Sequence, residues 1–208
     1  MSKPSSLSSK KWIRRHIQDQ YVIMAHKNNI RSRSYFKLDQ IHSTIKLFKK
    51  GMQVVDLGSS PGGWSQYASE KVGKRGRIIA CDMLPMMPIK AVSFIQGDIR
   101  NRSFLNFFLS HLNNTKIDLI MSDMSPNMSG FHCIDHCRFI NLNKLVLKIS
   151  KKILSNNGIV LVKSFHGSQF NILVKKFFDF FIKVKIFKPQ ASRTNSREVY
   201  IIAFGRKI

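Results

Sequence analysis

Apolar and polar positions alternate along the chain in a way that predicts a sheet covered by helices. Short apolar runs rich in Val, Ile and Phe predict strands, and stretches with apolar residues three or four apart predict helices. The strands are expected at 52–57, 77–82, 92–96, 117–122 and 158–164, and the helices at 63–72, 101–112, 136–154 and 168–181. A further helix is expected from Ser34, where Tyr35, Phe36, Leu38, Ile41 and Ile45 follow a helical period. Such alternation is typical of a parallel sheet with helices on both faces.

The end of the chain departs from this alternation. Apolar runs at 182–187 and 198–204 are separated by about ten polar residues, too few for a crossover helix, so the two strands should pair antiparallel. We therefore expect an α/β, Rossmann-like sheet of seven mostly parallel strands with an antiparallel last strand. Residues 1–11 are polar and basic and predict a flexible tail, and 12–208 predict a single domain.

Charge and cysteine content narrow the class of protein. The sequence has 35 Lys and Arg against 11 Asp and Glu, a net charge of +24, which favours a polyanionic partner such as nucleic acid. A compositional bias toward lysine explains part of this excess, but it does not explain the scarcity of acids. Seven basic residues near the amino end are candidates for RNA phosphate contacts: Lys10, Lys11, Arg14, Arg15, Lys27, Arg31 and Arg33.

No apolar run approaches the roughly 18 residues that span a bilayer, and three cysteines suit a reducing compartment. We expect a cytoplasmic protein without membrane association, acting as a monomer. The segment from His132 to Cys137 brings two His, two Cys and an Asp together, but its spacing favours a loop and helix start over a metal site, so no metal is expected.

Four of the few acids follow strands. Asp56, Asp82, Asp98 and Asp123 lie at or just beyond the carboxyl ends of the first four predicted strands, which meet at one edge of a parallel sheet. Aspartates at strand ends also cap helices, but four together predict a ligand cleft. Asp82 follows Asp56 by 26 residues, close to the ~20-residue offset at which a carboxylate accepts from ribose hydroxyls.

Lys163 stands inside an apolar strand, where an ammonium group needs partners. If the fifth strand lies beside the fourth, Lys163 comes next to Asp123. If the last strand lies beside the fifth, Glu198 joins them. The row would then be catalytic, or it would be a neutralised cluster that only fixes strand register.

Glycines 58, 62 and 63 in the turn after the first strand fit a nucleotide-like ligand, although the spacing departs from the dinucleotide fingerprint. This turn and three other segments resemble those of the FtsJ-type 2′-O-ribose RNA methyltransferases. They are Asp56–Tyr67 (DLGSSPGGWSQY), Gly97–Asp98, Ser122–Gly130 (SDMSPNMSG) and Ser196–Tyr200 (SREVY). Within the family, the chain is most similar to bacterial members that methylate a uridine ribose in large-subunit (23S) ribosomal RNA.

The resemblance implies an rRNA (uridine-2′-O-)-methyltransferase that uses S-adenosyl-L-methionine, with large-subunit ribosomal RNA or the 50S particle as partner. It also implies a catalytic tetrad, which falls on Lys37, Asp123, Lys163 and Glu198. The cofactor-binding residues would be Asp56, Gly58, Pro61, Gly62, Gly63, Trp64, Asp82, Met83, Asp98, Ile99 and Asp123. Ser59–Ser60 stands where alanines are usual, and His166 where glutamine is typical.

Several alternatives remain at this point. Flanking carboxylates favour a charged Lys163 whereas desolvation and Lys37 favour a neutral one, so this lysine is either a general base or a cation that orients the reacting oxygen. His166 is a rival base. A non-catalytic RNA-binding ribosome-assembly factor would share the basic surface, and a nicotinamide-dependent reductase would share the sheet but would need the dinucleotide glycine spacing.

Overall fold

The computed structural model describes Arg14 and residues 17–207, so the expected tail and Lys10, Lys11 and Arg15 lie outside the described residues. The helices are α1 (Gln20–Lys27), α2 (Ser34–Ile45), α3 (Gly63–Val72), α4 (Arg102–Ser110), α5 (His132–Ile153) and α6 (Phe170–Phe180). The strands are β1 (Gln53–Leu57), β2 (Arg77–Asp82), β3 (Val92–Gln96), β4 (Ile117–Ser122), β5 (Leu154–Phe165), β6 (Phe181–Phe187) and β7 (Glu198–Arg206). None of these helices is both long and apolar enough to cross a membrane.

The seven strands form one sheet in the order β3-β2-β1-β4-β5-β7-β6. The pairs from β3 to β5 are parallel, and β7 pairs antiparallel with both β5 and β6. The expected fold class is thereby confirmed. Because the strand order reverses between β1 and β4, the crevice outside their carboxyl ends is where ligands bind in sheets of this type.

Neighbouring residues of each strand point to opposite faces of the sheet, and both faces of β1, β2 and β4 are buried. Val55 and Ile120 belong to a core shared with α4, α5 and α6, whereas Val54 and Leu119 belong to a core shared with α2 and α3. Burial of each such side chain contributes roughly 1.5–3 kcal/mol. The two cores hold the strand ends, and therefore the site, in a fixed arrangement.

Two predicted boundaries are wrong by four residues. α5 begins at His132, four residues before the expected start, and β5 begins at Leu154 instead of residue 158. The early helix start depends on Asp135, which is buried in the first turn and accepts hydrogen bonds from the backbone N–H groups of Ser129 and Gly130. The early strand start depends on an irregular pairing between β4 and β5 near Ile117. The first cause is a local contact between residues five or six positions apart, and the second is a contact between strands distant in sequence.

Candidate active site

The glycine turn after β1 is tightly packed. Gly58 has φ +80°, and a Cβ atom there would lie 2.5 Å from Met124 Cγ. Gly62, at the amino end of α3, has φ +109°. Both positions have backbone conformations that side-chain-bearing residues rarely adopt. The short distance between Gly58 and Met124 shows that the turn lies against the segment that follows β4.

A cavity of about 290 Å³ opens beyond the carboxyl ends of β1 to β4. Its walls combine carboxylates with apolar side chains such as Leu84, Met124 and Leu142. Six of the predicted cofactor-binding residues line it: Gly58, Asp82, Met83, Asp98, Ile99 and Asp123. The other five, Asp56, Pro61, Gly62, Gly63 and Trp64, are not part of its lining.

The side chain of Trp64 packs within the protein. Its ring is buried, its indole N–H donates to the backbone oxygen of Ser34 at 2.9 Å, and the ring lies 5.7 Å from that of Tyr200. Trp64 thus connects α3 with α2 and with β7.

Contacts within the protein fix the positions of two carboxylates at the cavity wall. Asp82 accepts from the backbone N–H groups of Ser60 and Leu84, each at 2.9 Å. Asp98 pairs with the guanidinium of Arg100 at 2.9 Å, and this hydrogen bond holds the pKa of Asp98 below its usual value. Backbone contacts fix the carboxylate of Asp82 in place, and the ion pair with Arg100 holds that of Asp98 in its ionised, accepting form.

Asp56 lies below the turn and is completely buried. Its Oδ2 accepts from the hydroxyl of Ser65 at 2.7 Å, whereas its Oδ1 has no partner among the described residues. Burial raises the pKa of Asp56 to about 7, with smaller contributions from the charges of Asp123 and Asp82. A proton on Asp56 is therefore favoured up to neutral pH.

Five side chains form a continuous hydrogen-bonded row beside the cavity. Lys37 Nζ lies 2.7 Å from Glu198 Oε1, and the Tyr200 hydroxyl lies 3.3 Å from the same oxygen. The Tyr200 hydroxyl also lies 3.1 Å from Asp123 Oδ1, which is 3.2 Å from Lys163 Nζ. Strand register explains the row, since Lys163 is directly opposite Tyr200 in the β5–β7 pair. The structure thus brings together the four residues of the implied tetrad.

The electrostatics of the row follow from burial and charge. Lys163 and Glu198 are each only 9% exposed. Burial alone would raise the pKa of Glu198, but Lys37 and the Ser192 hydroxyl lower it on balance. Burial and the nearby carboxylates raise the pKa of Tyr200 well above its ordinary value. Tyr200 therefore keeps its proton, and its single O–H donates to one of the two carboxylates at a time.

Sequence reasoning missed Tyr200 and Ser192. Tyr200 follows Glu198 by two residues on a strand, so both side chains lie on the same face. The spacing of two in the sequence could therefore have predicted that Tyr200 lies beside Glu198. Ser192 lies in the loop before β7 and donates to Glu198 Oε1 at 2.7 Å. Its position depends on loop conformation, which no periodicity predicts.

Two of the predicted RNA-binding residues have partners within the protein. Arg31 donates to the backbone oxygens of Met87 at 2.5 Å and Pro88 at 2.6 Å. Arg33 pairs with Asp19 and with the backbone oxygen of Ala191. Arg14 and Lys27 are exposed. Arg31 and Arg33 thus connect loops, and Arg14 and Lys27 are better placed to meet an external phosphate.

His166, the rival base, follows β5 and is exposed. Its ring packs against Phe170 at 4.6 Å, and its backbone N–H donates to the Arg197 oxygen at 3.0 Å. Across the described part of the chain, no three His, Cys, Asp or Glu side chains are grouped as metal ligands would be.

Similar proteins share this architecture. A curated relative from Buchnera aphidicola subsp. Baizongia pistaciae, named "Ribosomal RNA large subunit methyltransferase E", is 55% identical over all of both chains. Its counterpart of the same name from subsp. Schizaphis graminum is 53% identical over 98% of each. A crystal structure from Plasmodium falciparum, named "ribosomal RNA methyltransferase, putative", superposes with TM-score 0.76 at 29% identity, over 85% of this chain and 98% of that one.

A more distant structure supports the fold alone. Fibrillarin from Aeropyrum pernix, solved with natively bound S-adenosyl-L-methionine, has TM-score 0.51 at 15% identity and covers 74% of this chain and 67% of that one. The FtsJ-like methyltransferase family model matches residues 30–206, which include the glycine turn, the cavity walls and the row. The resemblance seen in the sequence is confirmed, and the chain belongs to the FtsJ-like methyltransferases.

Proposed function

We propose that this chain transfers a methyl group from S-adenosyl-L-methionine to the 2′-hydroxyl of a uridine ribose in large-subunit (23S) ribosomal RNA, within the ribosomal particle. The observation that carries the proposal is the buried row from Lys37 to Lys163, which meets the cavity at Asp123. A row that only fixed strand register would not need to share a residue with a ligand-sized cavity.

The cavity fits the chemistry of S-adenosylmethionine. The carboxylates of Asp82 and Asp98 are hydrogen-bond acceptors suited to ribose hydroxyls and an amino group, and the apolar walls suit an adenine ring. Asp123 lies both in the cavity wall and in the row, so it joins cofactor and substrate sides. When bound, the cofactor supplies a methyl group on a positively charged sulfur, which keeps the electron pair of the broken C–S bond.

Lys163 would orient the reacting hydroxyl. Its Nζ contacts the backbone oxygen and Oδ1 of Asp123, at 2.5 Å and 3.2 Å, and both partners are acceptors. The third N–H of the ammonium group would then donate to the 2′-oxygen and leave its other lone pair free for the methyl group that the cofactor would supply. The hydroxyl proton would become acidic as the new C–O bond forms and would pass to solvent.

The other members of the row hold Lys163 in place. Tyr200 ties Asp123 to Glu198, and Lys37 balances the charge of Glu198, so the row carries two ammonium groups and two carboxylates. Because the charges are paired at short range, the side chains are already in position before substrate binds. Positioning of this kind is a major source of rate in displacement reactions.

Ribosomal RNA as the substrate is supported by the names of the Buchnera relatives and by the net charge of +24. A polyanion gains counterion-release free energy on such a surface. The exposed Arg14 and Lys27 would contact phosphates, which position RNA without reading its sequence.

The test is transfer of labelled methyl groups to large-subunit particles from cells that lack this activity. Parent protein should label the RNA, and the labelled nucleotide should resist alkaline hydrolysis because its 2′-hydroxyl is blocked. Lys163→Ala should lower the rate by at least about a hundredfold. Lys148→Ala, at an exposed lysine of α5, is the matched control and should retain full activity.

Two outcomes would refute the proposal or its mechanism. RNA binding by the parent protein without any transfer would instead indicate a non-catalytic assembly factor. The role of Lys163 is tested by the pH dependence of the transfer rate. An orienting cation gives a flat profile, as the mechanism requires. A rate that rises about tenfold with each pH unit would refute the mechanism, because it would mean that the lysine must first lose its proton.

A further inference from the structure

A second cavity, of about 230 Å³, lies beyond the end of β5, between the first turns of α5 and the segment that leads into α6. It shares no lining residue with the cavity at β1 to β4. The residues important here are His136, Phe139, Phe165, His166, Gly167 and Arg197.

This cavity is adjacent to the row. Phe165 follows Lys163 by two residues in β5 and is paired in register with Glu198. Arg197 immediately precedes Glu198 in the chain. A ribose whose 2′-oxygen contacts Lys163 would therefore have the cavity within reach of its base.

The lining suits a flat, aromatic ligand with acceptor groups. The rings of Phe139 and Phe165 lie 4.3 Å apart and form an aromatic wall. Arg197, a permanent donor, also lines the cavity. The one carboxylate of the lining, Asp135, already accepts from Ser129 and Gly130. Donors beside an aromatic wall match the carbonyl oxygens and π-face of a nucleobase.

Exposed apolar side chains occur in the cavity lining and near the start of α5. Met128 lines the cavity and is 61% exposed, Phe131 immediately before α5 is 69% exposed, and Ile134 in its first turn is 47% exposed. RNA-binding surfaces use apolar and aromatic side chains of this kind to stack bases beside basic residues. Such a surface in a chain of net charge +24 fits RNA.

We propose that this cavity binds the base of the nucleotide whose ribose lies at Lys163. The assignment rests on the proposed function, because it takes Lys163 as the group that contacts the reacting hydroxyl. The base would be unstacked from its neighbours, enter beside Phe165 and receive hydrogen bonds from the Arg197 side chain. Binding the base would thereby place the 2′-oxygen.

Gly167 offers a way to change the cavity from within. A Cβ atom at Gly167 would lie 2.6 Å from His136 Cε1, so Gly167→Ala must displace the imidazole, and the cavity is the open space beside it. We expect Gly167→Ala to raise KM for large-subunit particles roughly tenfold, the effect of losing one stacked base. The affinity for S-adenosylmethionine, measured by calorimetry, should be unchanged.

The matched control is the double variant His136→Ala/Gly167→Ala, in which no imidazole remains to be displaced. Its KM should return to that of His136→Ala alone. A parent-like KM for Gly167→Ala, with its melting temperature retained, would overturn the assignment. So would a double variant as impaired as Gly167→Ala, because the effect would then not come from the imidazole.

A second measurement does not depend on activity. Particles from cells grown with 4-thiouracil are irradiated with the parent protein, and cross-linked peptides are mapped by mass spectrometry. Cross-links within 165–168 or at Arg197 support the cavity. Cross-links confined to other regions refute it. If the parent transfers no methyl group but cross-links here, the proposed function fails while the base-binding cavity stands.

Discussion

The buried carboxyl group of Asp56 should make the protein less stable as pH rises, and Asp56→Asn should remove that dependence. The folded-state pKa is raised from 3.8 to about 7, so between these values the folded protein holds a proton that the unfolded chain has lost. The stabilisation from this group is complete below the unfolded value and is lost as pH rises through the folded value.

The size of the effect follows from proton linkage. Each pH unit within this window lowers the free energy of unfolding by about 1.4 kcal/mol. From pH 5 to pH 8 the window covers two units, so the parent should lose about 3 kcal/mol from this group. An amide at position 56 carries no charge at either pH, and the fixed cost of burying it cancels when the two pH values are compared.

The assay is urea unfolding of parent and Asp56→Asn at pH 5 and pH 8. The variant should gain about 3 kcal/mol relative to the parent on going to pH 8. Asp179→Asn, at an exposed aspartate of α6, is the control and should show no such change. An equal difference between parent and Asp56→Asn at both pH values would refute the reasoning.

Three further predictions test other contacts. Asp82→Ala should weaken S-adenosylmethionine binding at least about tenfold with the fold retained, because it removes a fixed acceptor from the cavity wall. Unchanged affinity in calorimetry would exclude Asp82 from the cofactor site. Arg31→Ala should release the loop at Met87, which weakens cofactor binding several-fold and leaves RNA affinity unchanged. Lys27→Ala should instead weaken RNA binding and lower its salt dependence. If both variants weakened RNA binding equally, Arg31 would contact RNA directly. Tyr200→Phe should lower the free energy of unfolding in urea by about 1 kcal/mol and reduce transfer less than Lys163→Ala, and an unchanged midpoint would mean that its hydroxyl contributes nothing.

The positions of Asp123, Lys163 and Glu198 could be predicted because they depend on strand direction. The parallel strands place Asp123 at the ligand edge, and an antiparallel β7 inserted beside β5 places Glu198 there too. A lysine within an apolar run predicts a partner for its charge, and the structure has that partner in Asp123. Their catalytic roles stay a prediction until transfer is measured.

Loop contacts could not be predicted in the same way. Arg31 and Arg33 look like other basic residues of the amino end, yet their guanidinium groups bind loops that are distant in sequence. The start of α5 depends on Asp135 accepting from the loop before it. Such contacts depend on the conformation and packing of loops, which neither charge nor hydrophobic periodicity predicts.

The direction of β7 has a practical consequence. This strand of nine residues begins at Glu198 and ends at Arg206, so eight steps along the strand place Arg206 about 27 Å away, at the end of the sheet opposite the ligand edge. A linker attached after Arg206 would therefore emerge on the far side from Lys163. Sensor-chip immobilisation through that linker should leave the whole ligand edge open to particles as large as a ribosomal subunit.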